Sequence, residues 1–146
     1  MTEASDVTPP ARPVVAVVDD HELNRRVIRH ILDRFLEPVD IVEGENGFDA
    51  IRLRFADPPP AMMILNGEMP GMWGQDAMRE IRRREADEGL PRMPIVFESA
   101  DPYAAEKVLL HDADLWLDKP FSQPQVAAVV RFITKVPCRT GGTRGG

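Results

Sequence analysis

The sequence predicts an α/β domain built on a parallel sheet, and three observations carry that reading. Apolar runs of strand length alternate five times with helix-length segments along the 146 residues. The first of these runs is apolar throughout and β-branched, as a strand covered on both faces should be. Each run is separated from the next by enough chain for a right-handed crossover helix. One core suffices at this length, so a single domain over 13–136 is expected, between loosely ordered polar ends at 1–12 and 137–146.

VVAVV (14–18) reads as the first strand. The next segment places Leu23, Val27, Ile28, Ile31, Leu32 and Phe35 at helical spacing, with arginines opposite. VDIV (39–42) is the second strand, followed by a helix carrying Phe48, Ile51 and Phe55 that stops at Pro58, Pro59 and Pro60. AMMIL (61–65) is the third strand, and Ala77, Met78 and Ile81 mark a helix ending in an arginine-rich turn. MPIVF (93–97) is the fourth strand, the segment around Ala105, Val108 and Leu109 the fourth helix, and LWL (115–117) the fifth strand. The last helix opens at Ser122, with Gln125 three residues on in a capping-box pattern, and buries Val126, Val129, Val130 and Ile133.

Charge and composition narrow the function. Eighteen Lys and Arg against 24 Asp and Glu leave a net charge of −6, which argues against broad attraction to nucleic acid or anionic membrane. No apolar run approaches the ~20 residues that span a bilayer. The acidic first ten residues lack the basic and apolar regions of a secretory signal. A single cysteine, Cys138, offers no internal disulfide. The expectation is a cytoplasmic domain.

In an open parallel sheet, ligands bind at the carboxyl ends of the strands. The first strand ends in Asp19-Asp20, and the third in Asn66 followed by GEMPGM. The fourth ends in Glu98-Ser99-Ala100, and the fifth in Asp118-Lys119-Pro120-Phe121. Adjacent carboxylates suit a hard divalent cation. A lysine and a hydroxyl opposite them suit the oxygens of a phosphoryl group. Each feature alone has an ordinary structural use, the acidic pair as a helix cap and Asn-Gly as a turn. Their order and common edge make them a candidate site.

The segments VVAVVDDHELNRRVIRHIL, ILNGEMPGM, PIVFESA and LWLDKPF resemble the receiver domains of two-component response regulators, over about residues 13–136. The resemblance implies a flavodoxin-like, doubly wound sheet of five parallel strands in the order 2-1-3-4-5 with five helices. It also implies phosphorelay signalling, in which an aspartate takes a phosphoryl group from a phosphohistidine with help from Mg²⁺. Carried onto this sequence, it makes Asp19 and Asp20 the acidic pair that places the metal, with the backbone carbonyl of Glu68 as a further ligand. Ser99 and Lys119 become the phosphoryl-handling residues, Trp116 the aromatic switch, and Lys119–Pro120 a cis peptide with the lysine aimed into the pocket.

The phosphoacceptor position itself holds Asn66. A neutral amide is a poor nucleophile and lacks the charge that completes the metal site. The reading is therefore a stand-alone, degenerate receiver, not an enzyme, acting through protein contacts. Mg²⁺ would be held weakly or not at all by Asp19, Asp20, Asn66 and the Glu68 carbonyl, and Lys119 would turn to Asp19 or Asp20. One alternative is an ordinary phosphoaccepting receiver in which Asn66 replaces a native aspartate. Another is a cyclic-nucleotide sensor using Arg82, Arg83, Arg84 and Arg92, although arginines near a helix end also complement the helix dipole.

The implied partners are a histidine kinase, a phosphotransferase or another regulator. They would engage the first helix, with Arg25, Arg26, Arg29 and Arg34, or the face formed by the fourth helix, fifth strand and fifth helix. That second face would also serve a homodimer. Glu68 and Asp101 keep the rim acidic, and Trp73 is either a partner contact or a cover over a helix start.

Overall fold

The structure is a computed structural model and describes residues 12–101 and 112–140. Strands β1 (Val14–Val18), β2 (Asp40–Gly44), β3 (Met62–Asn66), β4 (Ile95–Ser99) and β5 (Leu115–Asp118) form one parallel sheet. Their order is β2-β1-β3-β4-β5. The helices are α1 (Glu22–Phe35), α2 (Gly47–Arg54), α3 (Gly74–Glu88) and α4 (Gln123–Thr134). The described residues thus hold four helices where five were expected. The helix read around Ala105, Val108 and Leu109 lies outside them.

Alternation along the strands divides the core in two. Ala16, Val18, Met63, Leu65, Ile95 and Phe97 pack under α2 and α3, against Leu53, Ala77, Met78 and Ile81. Val15, Val17, Met62, Ile64 and Val96 face α1 and α4, against Ile28, Ile31, Leu32, Val126 and Val130. Each fully buried aliphatic side chain contributes about 1.5–3 kcal/mol relative to exposure, so these two layers supply most of the driving force. The central strands β3 and β4 are buried along their whole length. They also run one to two residues beyond the apolar stretches and end on Asn66 and Ser99. The register pairs Asn66 with Glu98 and Ser99 with Asp118, which draws the polar ends onto one edge.

Several local expectations change. Leu23 and Val27 are 67% and 41% exposed, whereas Arg25 is buried in α1. The cause is a clasp: Arg25 Nη1 donates to the Asp19 carbonyl at 2.7 Å while its Nε donates to Glu43 at 2.7 Å. Helix α3 continues past its arginines to Glu88 and closes on Gly89 at φ +65°, so its last turn carries no basic residue. A dipole role for Arg82–Arg84 is therefore not the reason for them. The capping box of α4 is present, with Ser122 and Gln125 bonding reciprocally.

After α4 the chain runs along the end of α1. Val136 is buried, Leu36 bridges to Cys138, and the Arg139 N–H donates to the Phe35 carbonyl at 2.9 Å. Packing thus carries past residue 137, as far as Arg139. No helix among the described residues is long and apolar enough to cross a membrane.

Candidate functional site at the strand ends

The four strand ends converge on Asn66, which is 2% exposed. Lys119 Nζ donates to Asn66 Oδ1 at 2.6 Å. A lysine has no acceptor, so the amide oxygen must face it and the amide NH₂ must face the other way. Nδ2 then donates to the Glu68 carbonyl at 3.0 Å and to Asp20 Oδ1 at 3.3 Å. This corrects the expectation that Lys119 turns to Asp19 or Asp20. An amide oxygen occupies the place of a carboxylate oxygen and keeps the lysine, despite carrying no charge. The Lys119–Pro120 bond is cis.

The acidic pair is held from below. Asp19 is fully buried, and its Oδ1 accepts from the His21 N–H at 2.9 Å. Asn24 Nδ2 reaches both of its oxygens, at 3.3 and 3.4 Å. With Arg25 gripping its carbonyl, the loop after β1 is fixed from two sides. Asp20 and the Glu68 carbonyl are two of the groups that the resemblance assigns to Mg²⁺, beside Asp19 and residue 66, and both accept an N–H from Asn66. A cation would meet that NH₂, which is a donor and no ligand. Turning the amide to offer its oxygen would strip Lys119 of its bond. As arranged, the centre of this edge presents an N–H donor between two oxygens instead of a third oxygen ligand.

The loop after β3 lies flat across the strand ends because of two glycines. A Cβ on Gly67 would stand 2.6 Å from the Phe97 ring, and one on Gly74 would stand 2.2 Å from the Asn66 carbonyl. The Gly74 N–H closes the loop onto the Gly67 carbonyl at 3.0 Å. That path delivers the Glu68 side chain to β4. Ser99 Oγ donates to Glu68 Oε2 at 2.5 Å, and the Ala100 N–H donates to Oε1 at 3.3 Å. Lys119 Nζ stands 4.0 Å from Oε1. Ser99 Oγ itself accepts from the Asp101 N–H at 3.0 Å.

Glu98 is a site residue that periodicity missed. It is 1% exposed, and its Oε2 has no hydrogen-bond partner. Burial pushes its carboxyl up to about 8; Lys119 opposes this, while Asp19 and Glu68 reinforce it. Burial thereby favours the protonated, neutral acid. The signal was available in the alternation: position 98 shares a sheet face with Val96 and hence points toward α1. An unpaired buried oxygen is rare enough to mark the spot.

The other candidate residues have their own surroundings. Trp116 stacks at a tilt on Phe97, centroids 5.4 Å apart, and its Nε1 donates to the Asp118 carboxylate. Trp73 precedes α3 and is 54% exposed, facing solvent. Arg82 spends its guanidinium on Glu85, Asp114 and the carbonyls of Met93 and Asp112. Arg83 and Arg84 hold Glu80, and Arg92 holds Asp114. The four arginines of the nucleotide-sensor reading thus each bond oxygens of the chain itself. On α1, Arg26 pairs with Glu22, Arg29 with Glu43, and Arg34 lies over the Phe35 ring.

Comparison with known proteins points to one family. The family model described as a response regulator receiver domain matches residues 15–131. The chain is 33% identical over 132 residues to the sensor protein GacS of Pseudomonas syringae pv. syringae, covering 86% of this chain but only 14% of GacS. It is 32% identical over 112 residues to the chemotaxis protein CheY1 of Helicobacter pylori, covering 75% of this chain and 86% of CheY1. Among solved structures, the receiver domain of the sensor histidine kinase PA1611 from Pseudomonas aeruginosa, with magnesium in its active-site cleft, superposes with a TM-score of 0.69. That match is 21% identical and covers 84% of this chain and 98% of the other.

Proposed function

The chain belongs to the receiver-domain family of two-component response regulators, and from that premise we propose that it is a degenerate receiver. It signals through protein contacts and does not accept a phosphoryl group. One observation carries this reading: the residue at the centre of the site is an amide, with its oxygen held by Lys119 and its NH₂ held by Asp20 and the Glu68 carbonyl. Neither end of that group is a free nucleophile. The PA1611 receiver holds magnesium in its cleft; here the same edge of the sheet presents an N–H, so Mg²⁺ binds weakly at most. Relay partners of the kinase or phosphotransferase class fit α1, where exposed Leu23 and Val27 stand beside Arg26.

A second reading, in which Asn66 stands where a native aspartate belongs, is favoured by the surviving geometry of Ser99 and Lys119 around residue 66. Both readings agree on what Asn66→Asp does. Incubated with Mg²⁺ and acetyl phosphate, the Asn66→Asp variant gains one phosphoryl group by intact-mass analysis, and the chain with Asn66 gains none. Phosphorylation of the Asn66 chain at any residue would end the degenerate reading.

A further inference from the structure

The phosphoryl-handling groups of this site are not idle. Ser99 Oγ and the Ala100 N–H each donate to a different oxygen of one carboxylate, that of Glu68, and the Lys119 ammonium faces it at 4.0 Å. These donors come from the ends of two strands, β4 and β5, and Glu68 comes from the loop after a third, β3. A hydroxyl, a backbone N–H and an ammonium converging on one anion form the donor set that suits a small oxyanion. The anion here is the chain's own. Ser99 is held on its other side as well, because its Oγ accepts the Asp101 N–H at 3.0 Å.

We propose that Glu68 is a built-in occupant of an oxyanion site, so that its carboxylate stands in for a phosphoryl group and keeps Ser99 engaged without any phosphodonor. This rests on the degenerate-receiver reading and deepens it: the site lacks an acceptor at position 66 and supplies the anion from position 68. The two substitutions are complementary. The Asn66 NH₂ takes a cation's place between Asp20 and the Glu68 carbonyl, and the Glu68 carboxylate takes an anion's place between Ser99 and Lys119. Removing the Glu68 side chain empties the donor set, which then accepts a small external oxyanion such as inorganic phosphate.

The test is a ¹H–¹⁵N amide correlation spectrum of the intact chain, of Glu68→Ala and of Glu68→Gln, each titrated with inorganic phosphate at pH 7. In Glu68→Ala, the Ala100 and Asp101 amides shift as Ser99 is released, and they shift again, saturably, with phosphate. In the unsubstituted chain they do not respond to phosphate. Glu68→Gln keeps one of the two acceptor oxygens, so it holds Ser99 or the Ala100 N–H but not both, and its Ala100 and Asp101 amides shift less than those of Glu68→Ala. Retained amide dispersion in the Glu68→Ala spectrum itself shows that the alanine variant is folded. Unmoved amides in Glu68→Ala, or an equal phosphate response with and without Glu68, would overturn the proposal. Incubating the unsubstituted chain with acetyl phosphate separates the two claims: a gain of mass defeats the degenerate reading, whereas the amide shifts alone decide the occupancy of the site by Glu68.

Discussion

Replacing Glu85 with alanine is expected to cost about 3–5 kcal/mol of folding stability, the usual penalty for stranding buried charge. Glu85 is 4% exposed on α3 and sits between the guanidinium groups of Arg54, which is buried, and Arg82, which is partly buried. Arg54 Nε reaches it from α2 at 2.7 Å, and Arg82 Nη1 reaches it at 2.9 Å. The Met93 N–H also donates to it, at 2.9 Å, just before β4. Burial alone would raise the carboxyl, but those three donors hold it below the usual carboxylate range. Alanine leaves Arg54 with no carboxylate and only the Pro91 carbonyl, takes one of the two carboxylates from Arg82, and leaves the Met93 N–H without its acceptor at the junction of α2, α3 and β4. Urea denaturation of Glu85→Ala measures the loss. Glu80→Ala is the control, because Glu80, although Arg83 and Arg84 hold it down to about 2, does so in solvent where such pairs are screened.

The opposite sign is expected at Glu98. Its folded carboxyl titrates at about 8 against an ordinary value of 4.5, because burial disfavours the charged form. A group whose folded value is raised favours the folded state at low pH and opposes it as pH rises. The penalty is absent below about pH 4.5 and grows by roughly 1.4 kcal/mol per unit up to about pH 8, where it levels off. At pH 7 it amounts to roughly 3 kcal/mol. Glu98→Gln has nearly the same shape and no charge to lose. It therefore stabilises the domain by roughly that amount at pH 7 and by little near pH 4, measured in a chelator-containing buffer. A constant difference between the two proteins across this range would mean that Glu98 is already ionised in the folded state.

These two residues show where a linear reading stops. The apolar run VVAVV declares a doubly covered strand by itself, and the Ser122–Gln125 spacing declares its cap, since both depend on neighbours within one element. Asp19, Asp20, Asn66, Ser99 and Lys119 were legible together because parallel topology brings every strand's carboxyl end to one edge. Arg25 was not, since helical periodicity assigns any arginine to solvent and cannot see the Asp19 carbonyl beneath it. Lys119 was expected to follow charge toward Asp19 or Asp20. Instead it follows position, because the Asn66 oxygen sits where the strand end places an acceptor. The Glu68–Ser99 contact joins residues 31 apart and exists only after β3 and β4 have paired.

The central claim is that the Asn66 amide fills the place of both the cation and the acceptor. It is tested most directly by following the Asn66 side-chain NH₂ in a ¹H–¹⁵N spectrum during a Mg²⁺ titration, beside Asn66→Asp monitored at the Glu68 amide. The account predicts that the Asn66 NH₂ resonances persist and show no saturable shift at Mg²⁺ concentrations that saturate the Asn66→Asp variant. A saturable shift of that NH₂ at the same concentrations would mean that the amide turns its oxygen to the metal, and would contradict the account.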